Sequence, residues 1–131
     1  MALRYVGVRV TDLERSLRFY TEILRLKLVR RGKMSHGGEW AMLVDPDSSE
    51  KLELNWYPPG HEHATPFVVG EGLDHLGFEV DDARAEYQRL LAAGAKSAIE
   101  PWDEGNGEWV GYVTDPDGHW IEVFSHPKKR E

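Results

Sequence analysis

The chain contains one pattern twice. DPDSSEKLELN, from Asp45 to Asn55, returns as DPDGHWIEVF from Asp115 to Phe124. Glu39-Trp40 precedes the first copy and Glu108-Trp109 the second. Further upstream, LRYVGVRVTD from Leu3 aligns with LDHLGFEVDD from Leu73. The offset is 70 residues at these starts and 69 between Glu53 and Glu122. Self-similarity at a fixed offset marks two copies of one structural unit, which rules out most folds of this length. In this register Tyr5 corresponds to His75 and Glu53 to Glu122. Two related pairs of polar residues are then expected about a pseudo-twofold axis.

Each copy reads as βαβββ. In the first, Leu3 to Val10 alternates as a strand. Thr11 starts a helix with Glu14 completing a capping box, and Leu13, Leu17, Tyr20 and Leu24 form its apolar stripe. Leu26 to Arg31 is a second strand, Lys33 to Gly38 a loop containing His36, and Glu39 to Val44 and Lys51 to Tyr57 a hairpin. Residues 58–72, with three prolines and three glycines, read as a linker. In the second copy Leu73 to Val80 is a strand, and Asp81 or Asp82 caps a helix bearing Tyr87, Leu90 and Leu91. Gly94 ends that helix. Lys96 to Glu100 is the next strand and Pro101 to Gly107 a loop. Trp109 to Thr114 and His119 to Ser125 complete the unit. Pro116 fixes φ in the last turn and Gly118 permits a positive φ. The domain organisation expected is a single domain over 1–131, with module one at about 1–57, linker 58–72 and module two 73–126.

Composition excludes several classes of function. No run of about 18 apolar residues exists, so no membrane span is expected. The N-terminus reads as a strand, without a signal-peptide pattern. There is no cysteine, so disulfides and thiol nucleophiles are excluded and any metal must use His, Asp or Glu. This fits a cytoplasmic protein. A net charge of −7 argues against nucleic acid as a partner. The basic run Lys128-Lys129-Arg130 reads as a solvated tail.

The chemistry comes from which sheet face each residue takes. The helix of each unit must cover one face, and Val6, Val8 and Val10, with Leu52 and Leu54, serve the first. Leu76, Phe78, Val80, Ile121 and Val123 serve the second. Tyr5, Glu53, His75 and Glu122 fall on the opposite faces. One glutamate between apolar strand residues ordinarily just faces solvent. Two in the same register, with a histidine, make a ligand set suited to a divalent ion. Two glutamates in one cleft would raise each other's pKa, and a 2+ ion would cancel both charges.

VTDLERSLRFYTEILRLKLV, GLDHLGFEVDD and DPDGHWIEVF together resemble the vicinal oxygen chelate superfamily, over nearly the whole chain. The superfamily includes glyoxalase I, methylmalonyl-CoA epimerase, extradiol dioxygenases, and bleomycin and fosfomycin resistance proteins. The resemblance implies an α+β fold of two paired βαβββ modules, forming a curled mixed sheet around a central cleft. Among these, the match to glyoxalase I is nearest. It implies one divalent ion per cleft (nickel, cobalt, zinc, manganese or iron), held by Glu53, His75 and Glu122. Tyr5 stands where that family has its first histidine, so it is expected to bond a substrate oxygen or metal-bound water, or to donate a proton. Arg9 matches an arginine that binds the glutathione carboxylate. Tyr57 stands where an asparagine is expected.

The activity implied is that of a lyase or isomerase stabilising the enediolate of a small oxygen-chelating substrate, with Glu122 or Glu53 as the base. A homodimer is expected by the same resemblance. One alternative is a binding protein of the bleomycin-resistance type, taking a cationic ligand in an acidic, Trp-lined cleft. Another is a ring-cleaving dioxygenase, which the loss of the first-strand histidine disfavours. His61 and His63 read as surface histidines of the linker, with replacement of that histidine as the alternative. Trp56, Trp102 and Trp120 have two readings, lining the cleft or filling the core and its rim, and His119 and His126 read as solvent-facing. Arg9 has a second reading, as a structural pair with Glu79.

Overall fold

A computed structural model describes residues 1–35, 37–61 and 66–128. His36, His63 and the end of the basic tail, Lys129-Arg130, lie outside the described residues. The chain divides into two compact units, Met1–Val68 and Val69–Glu131. Each is α+β, with a four-stranded mixed sheet and a helix, as the resemblance implies.

The first unit runs β1 (Val6–Arg9), α1 (Leu13–Arg18), β2 (Lys27–Lys33), β3 (Glu39–Val44) and β4 (Lys51–Trp56). The second runs β5 (Leu76–Glu79), α2 (Ala83–Ala92), β6 (Lys96–Asp103), β7 (Trp109–Thr114) and β8 (Trp120–Ser125). The sheet orders are β1-β4-β3-β2 and β5-β8-β7-β6. In both, the first strand lies parallel to the last and the remaining pairs are antiparallel. Register agrees as well: Gly7 pairs with Glu53, and Gly77 with Glu122.

Alternation along these strands separates core from site. Val8, Leu43, Leu52 and Leu54 are buried, and so are Leu13, Leu17 and Tyr20 on the helical side. Their counterparts are Val113, Ile121 and Val123 with Ala83, Tyr87 and Leu90. Each large apolar side chain so covered stabilises the fold by about 1.5–3 kcal/mol before entropy is counted. Leu76 and Phe78 are only half-buried, and Val6 is exposed, so both first strands are covered less fully than their alternation suggests.

Local chemistry shifts several boundaries. Asp12, not Thr11, caps α1, its carboxylate accepting the Arg15 N–H at 3.1 Å. Asp82 caps α2 in the same way. The first helix loosens after Arg18 into a π-helical turn, Phe19–Ile23, closed by Leu24 N–H to the Phe19 carbonyl. The wider turn lets the neighbours Phe19 and Tyr20 both be buried, while Leu24 is only half-buried. β6 continues through Pro101 to Asp103, where a loop was expected. Register shifts on either side of Ile99 leave Pro101 outside the ladder, and β6 is a sheet edge, where proline's missing N–H costs nothing.

Candidate functional site

Glu122 is the centre of the site that the second unit presents. It lies on β8 between Ile121 and Val123, which point into the core, so its carboxylate emerges on the other face. On the neighbouring parallel strand its register partner is Gly77. A Cβ there would stand 3.5 Å from Glu122 Oε1, an ordinary contact distance, so the carboxylate lies directly beside this strand. His75, just before β5, brings Nε2 to 3.6 Å from Glu122 Oε2. Its Nδ1 lies 2.7 Å from Asp74 Oδ2.

Tyr112 is the residue that sequence reasoning missed. It pairs with Glu122 across β7 and β8, and its hydroxyl donates to Glu122 Oε2 at 2.5 Å. Burial, then the bond to Glu122 and that carboxylate's charge, push the phenol up to about 12, so it remains a donor. Its ring meets three aromatic neighbours. Trp102 stacks on it at 6.0 Å, Trp120 lies 5.3 Å away, and the His75 ring approaches edge-on at 5.5 Å. Trp102 and Trp120 are therefore site neighbours rather than core filling, and Trp120 is 42% exposed. A cavity of about 230 Å³ adjoins Trp120 and Asp74 and is lined also by Val69 and Leu73.

The first unit repeats the frame with different side chains. Tyr5 precedes β1 as His75 precedes β5, and it is 45% exposed. Glu53 is half-buried on β4, and its cross-strand partner is Met42, where the second unit has Tyr112. Burial pushes the Glu53 carboxyl above the usual carboxylate range, opposed by a bond with Asn55. The Arg9 guanidinium lies 4.8 Å from the centre of the Tyr57 ring, so Tyr57, at the expected asparagine position, forms a cation–π contact with it.

A second group able to hold an ion lies in the turn before β8: ligand atoms of Asp115, Asp117 and His119 are all within 4.8 Å of one another. His119 is buried at 6%, not solvent-facing as expected. Asp115 is also buried, and its Oδ1 accepts the N–H groups of Asp117 at 2.9 Å and His119 at 2.8 Å. Asp45 in the first unit accepts the Asp47 N–H in the same manner, with no histidine following. The shared device is turn formation. His126 is exposed, as expected, near Glu108 and Glu79.

The family model "Glyoxalase/Bleomycin resistance protein/Dioxygenase superfamily" matches residues 2–123. The chain belongs to that superfamily. Among its relatives, a lactoylglutathione lyase from Neisseria meningitidis is 34% identical over 130 residues, covering 95% of this chain and 90% of the relative. A probable lactoylglutathione lyase from Synechocystis is 29% identical and is matched over the full length of both chains. The chain spans only 34% of a probable chloroplastic lactoylglutathione lyase from Arabidopsis thaliana. Among solved structures, a glyoxylase/bleomycin resistance protein/dioxygenase domain from Frankia is 27% identical with a TM-score of 0.78, covering 97% of this chain and 98% of that one. The fold is shared also with TnmS3, an antibiotic binding protein from Streptomyces, at 23% identity and a TM-score of 0.73, covering 97% of each chain. No helix among the described residues is long and apolar enough to cross a membrane.

Proposed function

We propose that this chain is a metal-dependent lyase or isomerase of the glyoxalase I type, acting on a small substrate with adjacent oxygens. The observation that carries this reading is the approach of His75 Nε2 to Glu122 Oε2 at 3.6 Å. Two donors each about 2.0–2.2 Å from one ion are separated by about 3–3.5 Å, so this pair is close to the spacing an ion needs. An imidazole and a carboxylate also suit a borderline divalent cation such as nickel, cobalt, zinc, manganese or iron(II). His75 and Glu122 would hold it, with Glu53 as the third donor by the resemblance and by its place in the repeat. Bound there, the ion supplies Lewis-acid stabilisation of charge developing on substrate oxygens.

The protein's own groups supply the rest. Glu53 or Glu122 takes the proton from the carbon beside the carbonyl and returns it to the neighbouring carbon. Tyr5 bonds a substrate oxygen, and Arg9 receives a substrate carboxylate. The relatives named lactoylglutathione lyase make a glutathione hemithioacetal the first substrate to try. By the same resemblance the chain is a single vicinal oxygen chelate domain that works as a homodimer. The test is calorimetric titration of chelator-stripped protein with each of the five ions, repeated on Glu122→Ala. Binding near one ion per chain, lost in the variant, supports the reading. No binding by the wild type refutes it.

A second reading has its own support. Trp102, Tyr112 and Trp120 form an aromatic group beside the carboxylates of Glu122 and Asp74, which suits a planar or cationic ligand. A binding protein of this kind would hold its ligand equally well with chelator present.

A further inference from the structure

We propose that Tyr112 is a positioning residue, whose hydroxyl fixes the Glu122 carboxylate in the orientation that presents it, with His75, to the ion. The inference rests on the ion-binding reading above and goes beyond it by adding a residue that binds neither ion nor substrate.

A glutamate side chain has several free torsions. Its last torsion is broad, so a carboxylate on a strand face swivels unless something holds it. Here Glu122 Oε2 accepts the Tyr112 hydroxyl at 2.5 Å, and the same oxygen faces His75 Nε2 at 3.6 Å. A carboxylate oxygen has two lone-pair directions. Tyr112 occupies one and leaves the other for the partner of His75. Outer contacts of this kind set the orientation of the groups that touch an ion.

Tyr112 is itself held in place. Its strand register sets it opposite Glu122, and Trp102, Trp120 and His75 pack around its ring. Asp74 orients His75 through Nδ1, but its side chain is 95% exposed, and exposed pairs contribute little. Tyr112 is the stronger constraint.

The repeat supplies an internal control. The first unit has the same hairpin and the same glutamate, with Met42 opposite Glu53. Methionine has no donor, yet the sheet forms with the same strand order. The fold therefore does not require a hydroxyl at this position, and only the glutamate beside the histidine has one.

The test uses the full chain, stripped with chelator and titrated with cobalt(II) by calorimetry, with the visible spectrum of the loaded protein recorded alongside. Tyr112→Phe is expected to weaken cobalt binding about 10–100-fold and to change the cobalt absorption bands, while the ion-free protein melts near the wild type. Tyr87→Phe is the comparison: it removes another short tyrosine bond in the same unit, to Ser97 Oγ at 2.5 Å, and is expected to leave cobalt affinity unchanged. Wild-type affinity and spectrum in Tyr112→Phe would overturn the proposal. Tyr112→Met, which installs the first unit's residue, is the second variant, and failure of both variants to fold would also overturn it, by showing that the tyrosine serves the sheet. A wild type that binds no cobalt would refute the ion-binding reading itself, an outcome visible before any variant is made.

Discussion

At the scale of single residues, two groups have environments that titration can read. Glu53 is held above the ordinary carboxylate range by burial. Its neutral form is favoured in the folded state, so its contribution to stability is full below the unfolded pKa and is lost as pH rises through the folded one. Glu53→Gln removes that loss. The variant should match the wild type in urea denaturation at acidic pH and exceed it at neutral pH, by less than about 1 kcal/mol for a half-buried group. No gain at neutral pH would show that Glu53 is solvated. Tyr112, pushed up to about 12, should ionise late in an ultraviolet titration, and its contribution to the late phase should be lost in Tyr112→Phe. Glu122 was legible from the repeat because Glu53 stands at the equivalent place, and His75 from its position opposite the apolar residues of its strand. Tyr112 was not, because its counterpart is Met42 and an argument from symmetry passes over whatever the two halves do not share. The signal that could have found it was the hairpin register: a tight Asp-Pro-Asp-Gly turn sets Tyr112 opposite Glu122.

At the scale of elements, the ends of the two helices differ in an informative way. α2 is followed by Gly94, whose φ of 112° carries no steric penalty. The helical segment of the first unit is followed by Arg25 at φ 64°. A side chain in this left-handed region costs about 1–2 kcal/mol. Arg25→Gly should therefore raise the stability of the protein by about 0.5–1 kcal/mol, after the added freedom of the unfolded glycine is deducted. Equilibrium denaturation would measure it, and a loss of stability would mean that the Arg25 side chain makes contacts worth more than the strain. Element order was readable throughout, since period-two and period-3.6 patterns alternate cleanly and the turns carry Asp, Pro and Gly. Boundaries were less so. β6 looked finished at Glu100 because proline argues against a strand, and only the ladder's irregularity at that edge allows Pro101 inside it. That single misreading also placed Trp102 in a loop instead of beside Tyr112.

At the scale of the whole molecule, an ion held only by the folded protein adds stability by mass action. At a free concentration about 100 times its dissociation constant the gain is about 2.7 kcal/mol. The melting temperature should rise on adding the preferred ion, fall back with chelator, and stay level in His75→Ala. An equal rise in that variant would place the ion elsewhere, with the turn of Asp115, Asp117 and His119 the first place to look. The two sheets also deal differently with a hazard that every open sheet carries. An outer strand offers unpaired backbone groups to any other strand that meets it. β2, the outer strand of one sheet, carries Lys27, Arg30, Arg31 and Lys33, so two copies brought together there repel. β6, in the corresponding place, carries no such row; its broken register and proline deny a newcomer a continuous row of partners. One edge is thus guarded by charge and the other by shape. Salt screens the first and leaves the second untouched, so aggregation of this protein at high ionic strength should begin at β2.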